Sequence, residues 1–217
     1  MYSDDVGVNM YEKYNLSSVL IEITNVCNLK CSHCFNSFDR AHCEKPCYMP
    51  VENVRDIIEK CDRLGLDKLY FSGGEPLCHP QFMEILRLCH DYKHIHFTVT
   101  TNGTLITPVL ISVFESYSNL CIQISVDSLN RDVYEKQRGG NTFDLFKNAY
   151  DMLLQSKIKY LTARTCVSKL NYKETTEIYE QLVANKVVPS FLFVNKMGNA
   201  EKIGMNFRSV CQISFGY

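Results

Sequence analysis

Residues 19–34 read VLIEITNVCNLKCSHC: a β-forming run from Val19 to Thr24, then three cysteines, Cys27, Cys31 and Cys34, in a Cys-x3-Cys-x2-Cys spacing. A short β-branched strand that opens into a thiol-bearing loop is how a βα unit begins when its loop carries chemistry. Downstream, Val51, Val54, Ile57, Ile58, Cys61 and Leu64 share one face of a helix expected over Pro50–Leu64 and stopped by Gly65. The alternation then repeats. Strands are expected at Lys68–Ser72, His96–Thr100, Cys121–Val126, Tyr160–Ser168 and Ser190–Asn195. Helices are expected at Gln81–His90, Pro108–Ser116, around Phe143 to Leu153, and at Tyr172–Lys186. Such alternation predicts a parallel sheet with right-handed crossovers. The strand ends Ser72, Thr100 and Val126 lie 28 and 26 residues apart, whereas Thr24 to Ser72 is 48. The first unit therefore carries an insertion of roughly 20 residues, which holds the cysteine-rich stretch. An open doubly wound sheet and a partial barrel both fit this pattern.

Composition narrows the function. The 217 residues are 46% hydrophobic and 22% charged, which describes a folded chain with one sizeable core or two small ones. Lys and Arg number 23 against 24 Asp and Glu, a net charge of −1 that argues against bulk nucleic-acid or anionic-membrane binding. No apolar run approaches the ~18–20 residues of a membrane span. Met1 to Tyr14 carries Asp4, Asp5 and Glu12 without the apolar stretch of an export signal, so a cytoplasmic location is expected. There, an odd count of 11 cysteines points to metal ligands, catalytic thiols or small buried side chains rather than a disulfide framework. Cys61, Cys89, Cys121 and Cys166 fall in helix or strand patterns and are expected in the core, Cys43 and Cys47 are expected to be ordinary loop thiols, and Cys78 and Cys211 receive no role.

The triad has two readings. A structural zinc site wants four closed ligands. An iron–sulfur cluster wants thiolates spaced along a loop that wraps a cube. Three close thiolates suit a 4Fe–4S cluster with one iron left open, while His33, Cys43 or Cys47 as a fourth ligand keeps both readings alive.

At this point the residues resemble the radical S-adenosylmethionine (SAM) enzymes, whose signature is a Cys-x3-Cys-x2-Cys loop after the first strand. The resemblance implies that Cys27, Cys31 and Cys34 ligate the cluster and that the open iron holds the methionine amino and carboxylate groups of SAM. It implies roles for other residues too. His33 would lie against adenine. Ser72-Gly73-Gly74-Glu75-Pro76 resembles the family's GGE motif, with Gly73 and Gly74 exposing backbone to the SAM amino group and Glu75 supporting the loop. Asn102, in Thr101-Asn102-Gly103, would sit beside the cofactor, Ser125 and Asp127 at its ribose or carboxylate, and Arg164 opposite its carboxylate. For Asp127 a helix cap is an equal alternative. Gly198, in Met197-Gly198-Asn199-Ala200, resembles the last adenine-side loop.

Every motif falls at the C-terminal end of a successive strand, where parallel α/β folds build their sites. The resemblance covers Val19 to Ala200 and selects the family's partial (β/α)6 barrel. It implies a core domain over residues 19–200, with an N-terminal segment 1–18 and a tail 201–217. The implied chemistry is reductive cleavage of SAM to a 5′-deoxyadenosyl radical that abstracts hydrogen from a substrate. Arg138-Gly139-Gly140 resembles a segment of members that modify peptides or proteins, and a flavodoxin- or ferredoxin-like electron donor is implied as well. Those members commonly carry a C-terminal auxiliary-cluster domain, for which the 17 residues after Ala200 leave no room, so the chain is expected to be a minimal or a truncated enzyme. A glycyl-radical activase, a small-molecule radical SAM enzyme and a non-catalytic zinc module are the competing expectations.

Overall fold

The structure is a computed structural model that describes residues 16–36, 45–194 and 198–202. Expectations that fell on His42, Cys43, Asn195, Met197 and Cys211 lie outside the described residues. Six strands, β1 (Ser18–Thr24), β2 (Lys68–Gly73), β3 (His96–Thr101), β4 (Leu120–Ser125), β5 (Tyr160–Val167) and β6 (Val188–Phe193), pair in chain order into one sheet. All five pairings are parallel. Between them run α1 (Val51–Asp62), α2 (Phe82–Leu88), α3 (Pro108–Glu115), α4 (Arg131–Arg138), α5 (Phe143–Gln155) and α6 (Thr175–Ala184), with a short α7 (Asn199–Lys202) last. Consecutive strand order with helical crossovers is the partial (β/α)6 barrel, open between the two edge strands β1 and β6.

Period-two alternation separates the two faces of this sheet. Ile21, Ile23, Leu69, Phe71, Phe97, Val99, Ile122 and Ile124 are buried against the helices, where they meet Val54 and Ile58 of α1, Ile85 and Leu86 of α2, and Phe146 of α5. The opposite face carries Leu20, Ser72, Thr100, Ser125, Arg164, Cys166 and Leu192, and these line a cavity. Thus one strand face builds the core and the other is left for chemistry. After the first loop, the chain returns along β1: Met49 N–H donates to Ile23 O at 2.8 Å, and the Thr24 hydroxyl donates to Cys47 O at 2.9 Å.

Two expectations are corrected and one element is added. The last strand starts at Val188 rather than Ser190, because Pro189 is tolerated where only one neighbour, β5, needs its hydrogen bonds. The helix expected over Tyr172–Lys186 opens with a 3-10 turn, Tyr172–Glu174, before α6. And α4, which the apolar periodicity did not reveal, is present. Asn130 caps it, its Oδ1 accepting from the Asp132 and Val133 amides at 2.9 and 3.3 Å, and Gly139 ends it at φ +77°.

Candidate active site

The loop after β1 is fixed from several sides. The Val26 amide donates to Thr24 Oγ1 at 3.0 Å, and the Asn28 side chain donates to Thr104 Oγ1 at 2.7 Å while accepting from Asn102 Nδ2 at 2.9 Å. The Ser32 amide and hydroxyl both donate to Gln137 O, at 2.8 and 3.0 Å. From α7, the Asn199 side chain donates to Cys31 O at 2.9 Å and its amide to Cys34 O at 3.0 Å. Asn36 closes the loop by donating to Glu22 Oε1 and to Gly73 O.

Opposite, the end of β2 lies so close to this loop that side chains do not fit. A Cβ on Gly73, at φ +128°, would stand 2.2 Å from Thr24 O, and one on Gly74 would stand 2.1 Å from Val26 O. The Gly74 and Glu75 amides instead donate to those carbonyls at 2.7 and 2.8 Å. Glu75 is buried and ties two strand ends together: its carboxylate accepts from the Leu77 amide, the Thr101 hydroxyl at 2.7 Å and the Asn102 amide at 2.7 Å. Burial pushes this carboxyl up, against the pull of those three donors.

The three loop thiols converge on one cavity of about 400 Å³ at the C-terminal strand ends. His33, Gly73, Gly74, Glu75, Asn102, Ser125 and Arg164 line the same cavity. Asp127 and Gly198 are not among its lining residues. Gly198 sits at φ +58° beside Asn199 and hence against the triad loop. Asp127 is fully buried, and its position is a correction on one point: the cap of the following helix is Asn130, not Asp127. Its Oδ1 accepts from the Cys166 amide at 2.8 Å, and its Oδ2 lies 2.6 Å from Arg138 Nε and 3.4 Å from His33 Nε2. The Arg138 N–H does not aim along that shortest contact, so charge rather than an aligned hydrogen bond holds it.

Electrostatics follow from burial. Desolvation pushes the Cys31 thiol up and the nearby Arg138 draws it back. Burial lowers the His33 imidazole, with Asp127 opposing. Burial works against the charge on Arg138, but the acidic groups around it, Asp127 foremost, together outweigh that cost and keep it charged. Cys166 is a second correction: expected in the core, it lines the cavity, with its thiol pushed up by burial to about 12. His33, Asp127 and Cys166 bring ligand atoms within 4.8 Å of one another, yet the guanidinium on Asp127 neutralises the carboxylate a cation would need. Cys47 is exposed, and it does not line the cavity.

The donor chemistry fits both implied cofactors. Three thiols from a single loop are the ligand set for three corners of an iron–sulfur cube. Arg164 Nε is buried with no hydrogen-bond partner among the described residues and its side chain lines the cavity, so an anionic group there would complete it. A family model, Radical SAM superfamily, matches residues 21–182. The chain belongs to the radical SAM superfamily. Members are SAM-dependent enzymes that carry a 4Fe–4S cluster.

Among similar proteins, a probable GTP 3′,8-cyclase of Methanocella arvoryzae is 41% identical over 117 residues, 54% of this chain and 36% of that protein. Mycofactocin maturase MftC of Mycolicibacterium smegmatis is 29% identical over 158 residues, 69% of this chain and 38% of that protein. The crystal structure of Streptococcus suis SuiB bound to S-adenosylmethionine shares the fold, with a TM-score of 0.77 at 20% identity over 89% of this chain and 44% of that one. The chain thus spans between about a third and about a half of the length of the curated relatives it matches, 36% and 38% for these two and 54% for a GTP 3′,8-cyclase of Synechocystis.

Proposed function

We propose that this radical SAM chain binds a 4Fe–4S cluster through Cys27, Cys31 and Cys34, holds SAM on the open iron, and acts on a peptide or protein. The observation that carries the cofactor reading is convergence: the triad thiols, the Gly73–Gly74 backbone and the unpartnered Arg164 Nε all face one cavity. When bound, the cluster and SAM together supply a 5′-deoxyadenosyl radical, a strong abstractor of hydrogen atoms. The chain's own residues hold and orient. Gly73 and Gly74 present backbone to the SAM amino group, Arg164 pairs with its carboxylate, and Ser125 and Asn102 contact the sugar side. His33 and the Gly198 turn flank the adenine. Glu75 fixes the loop that carries the glycines, and Asp127 works through Arg138 and the Cys166 amide. The core domain spans residues 19–200. The setting is the cytoplasm, where thiols stay reduced and a flavodoxin- or ferredoxin-like protein delivers the electron.

The peptide reading is supported by the likeness to a maturase, MftC, and by Arg138-Gly139-Gly140. A second reading, a nucleotide substrate, is favoured by the 41% identity to a probable GTP 3′,8-cyclase. Anaerobic reconstitution with iron and sulfide, then SAM and dithionite, tests the shared chemistry. Brown protein with about four irons that releases 5′-deoxyadenosine supports it, and colourless protein holding one zinc defeats it. Added GTP separates the two substrates: coupled consumption of GTP with 5′-deoxyadenosine would replace the peptide reading.

A further inference from the structure

We infer that Arg138 is a positioning residue for the metal centre: held in place by Asp127, its guanidinium donates an N–H to Cys31 Sγ and sets the reduction potential of the cluster which that thiol ligates. The inference rests on the cluster reading of the triad and adds a part that neither the motif spacing nor the SAM contacts supply.

The geometry is specific. Arg138 is 7% exposed, and its Nη1 donates to Cys31 Sγ at 3.8 Å, inside the range for a sulfur acceptor. The guanidinium cannot swing away. Asp127, wholly buried, sits against its Nε at 2.6 Å and is itself fixed by the Cys166 amide on β5. The backbone around Arg138 is bound to the same loop. Gln137 O accepts both the Ser32 amide and hydroxyl, and the Gln137 side chain donates to Cys166 O at 2.7 Å. A side chain at Gly139 would be strained, because its φ is +77° and a Cβ would stand only 3.1 Å from Lys30 O. Helix α4 is thereby clamped onto the cysteine loop with one cation aimed at one sulfur.

The physical consequence is electronic. Reduction adds one negative charge to a thiolate-ligated cluster, and a buried cation with an N–H on a ligand sulfur favours the reduced form. Arg164, the other cavity cation, is assigned to the SAM carboxylate, so its charge is compensated when SAM is bound. Arg138 keeps its contact with sulfur in either state. Asp127 tempers the guanidinium, so removal of the two charges shifts the potential in opposite directions.

The test is an EPR-monitored redox titration of the anaerobically reconstituted chain, with iron and sulfide counted in each sample. Arg138→Gln is expected to make reduction at least about tenfold less favourable, a fall of about 59 mV for one electron. Asp127→Asn moves the potential upward, and Arg138→Lys recovers part of the loss. Each single change leaves a buried partner charge unpaired, so the double variant Arg138→Gln/Asp127→Asn provides the check if a single variant does not hold iron: it too falls below the unaltered chain. Unchanged potentials in iron-replete variants, or shifts of the same sign for Arg138→Gln and Asp127→Asn, overturn the inference while leaving the cluster reading intact. So does failure of every variant to hold a cluster, which would make Arg138 a purely structural residue. Absence of a cluster in the unaltered chain would instead overturn the reading on which this inference rests.

Discussion

Single side chains carry the most direct tests. Replacing Cys27, Cys31 or Cys34 by Ala removes one corner ligand, and each variant is expected to lose the brown chromophore and 5′-deoxyadenosine release together. The fold should persist, because Asn28, Ser32, Asn36 and Asn199 also brace the loop through hydrogen bonds that do not use the thiols. Circular dichroism of the metal-free variants checks this. Arg164→Leu separates the two cofactors. Iron content is expected to be unchanged, while SAM affinity measured by calorimetry falls about tenfold to a hundredfold, the effect of losing a charged hydrogen bond of about 1.5–3 kcal/mol. A loss of iron with Arg164 would move that residue from SAM to the cluster. What the sequence disclosed at this scale was chemistry confined to short windows, such as the cysteine spacing and the Gly-Gly turn. The Arg138–Asp127 pair escaped it because the two residues meet only after an intervening turn and helix fold back.

Among the elements, strands were legible and one helix was not. Alternation marked β1 to β5 to within a residue or two, since buried and cavity-facing side chains take turns along each one. That same parity puts residues 164 and 166 on one face, so the cavity position of Cys166 was readable once Arg164 was placed inward. Helix α4 (RDVYEKQR) lacks an apolar stripe. It buries Tyr134, Gln137 and Arg138, and two of those three are polar groups that bond to the site itself, Gln137 to Cys166 O and Arg138 to Cys31 Sγ. Its boundary signals were nevertheless present: Asn130 before it, Asp132 in its first turn and Gly139 after it. Asn130→Ala is expected to lower unfolding free energy by about 1 kcal/mol in urea titrations, as for other N-caps. At the β1–β2 junction the effect is larger. Gly74→Ala cannot be accommodated at 2.1 Å from Val26 O without moving one strand end, and an upper-range loss of about 3 kcal/mol is expected.

For the whole molecule, consecutive strand order delivers the thiol triad, the Gly-Gly turn, Asn102, Ser125 and Arg164 to the same rim, which is why a one-dimensional succession of strand ends could be read as one site. What the succession could not supply was closure: among the described residues β1 and β6 both remain edges, and the exposed Leu20, Leu192 and Phe193 line the cavity beside them. Ligand binding gives the global test. With SAM at about a hundred times its dissociation constant, the cluster-loaded chain should gain about 2.7 kcal/mol of stability, seen as a raised melting temperature. Arg164→Leu should keep only about 0.4–1.4 kcal/mol of that gain at the same SAM concentration. The many-sided bracing of the cysteine loop bears on how iron is acquired. In small zinc domains the ion must organise a collapsed, shapeless chain, so loading and folding are one event. Here the scaffold stands ready like a socket before its bulb: incoming iron and sulfide meet groups already arrayed, and stripping them with a chelator should empty the receptacle without toppling the wall around it.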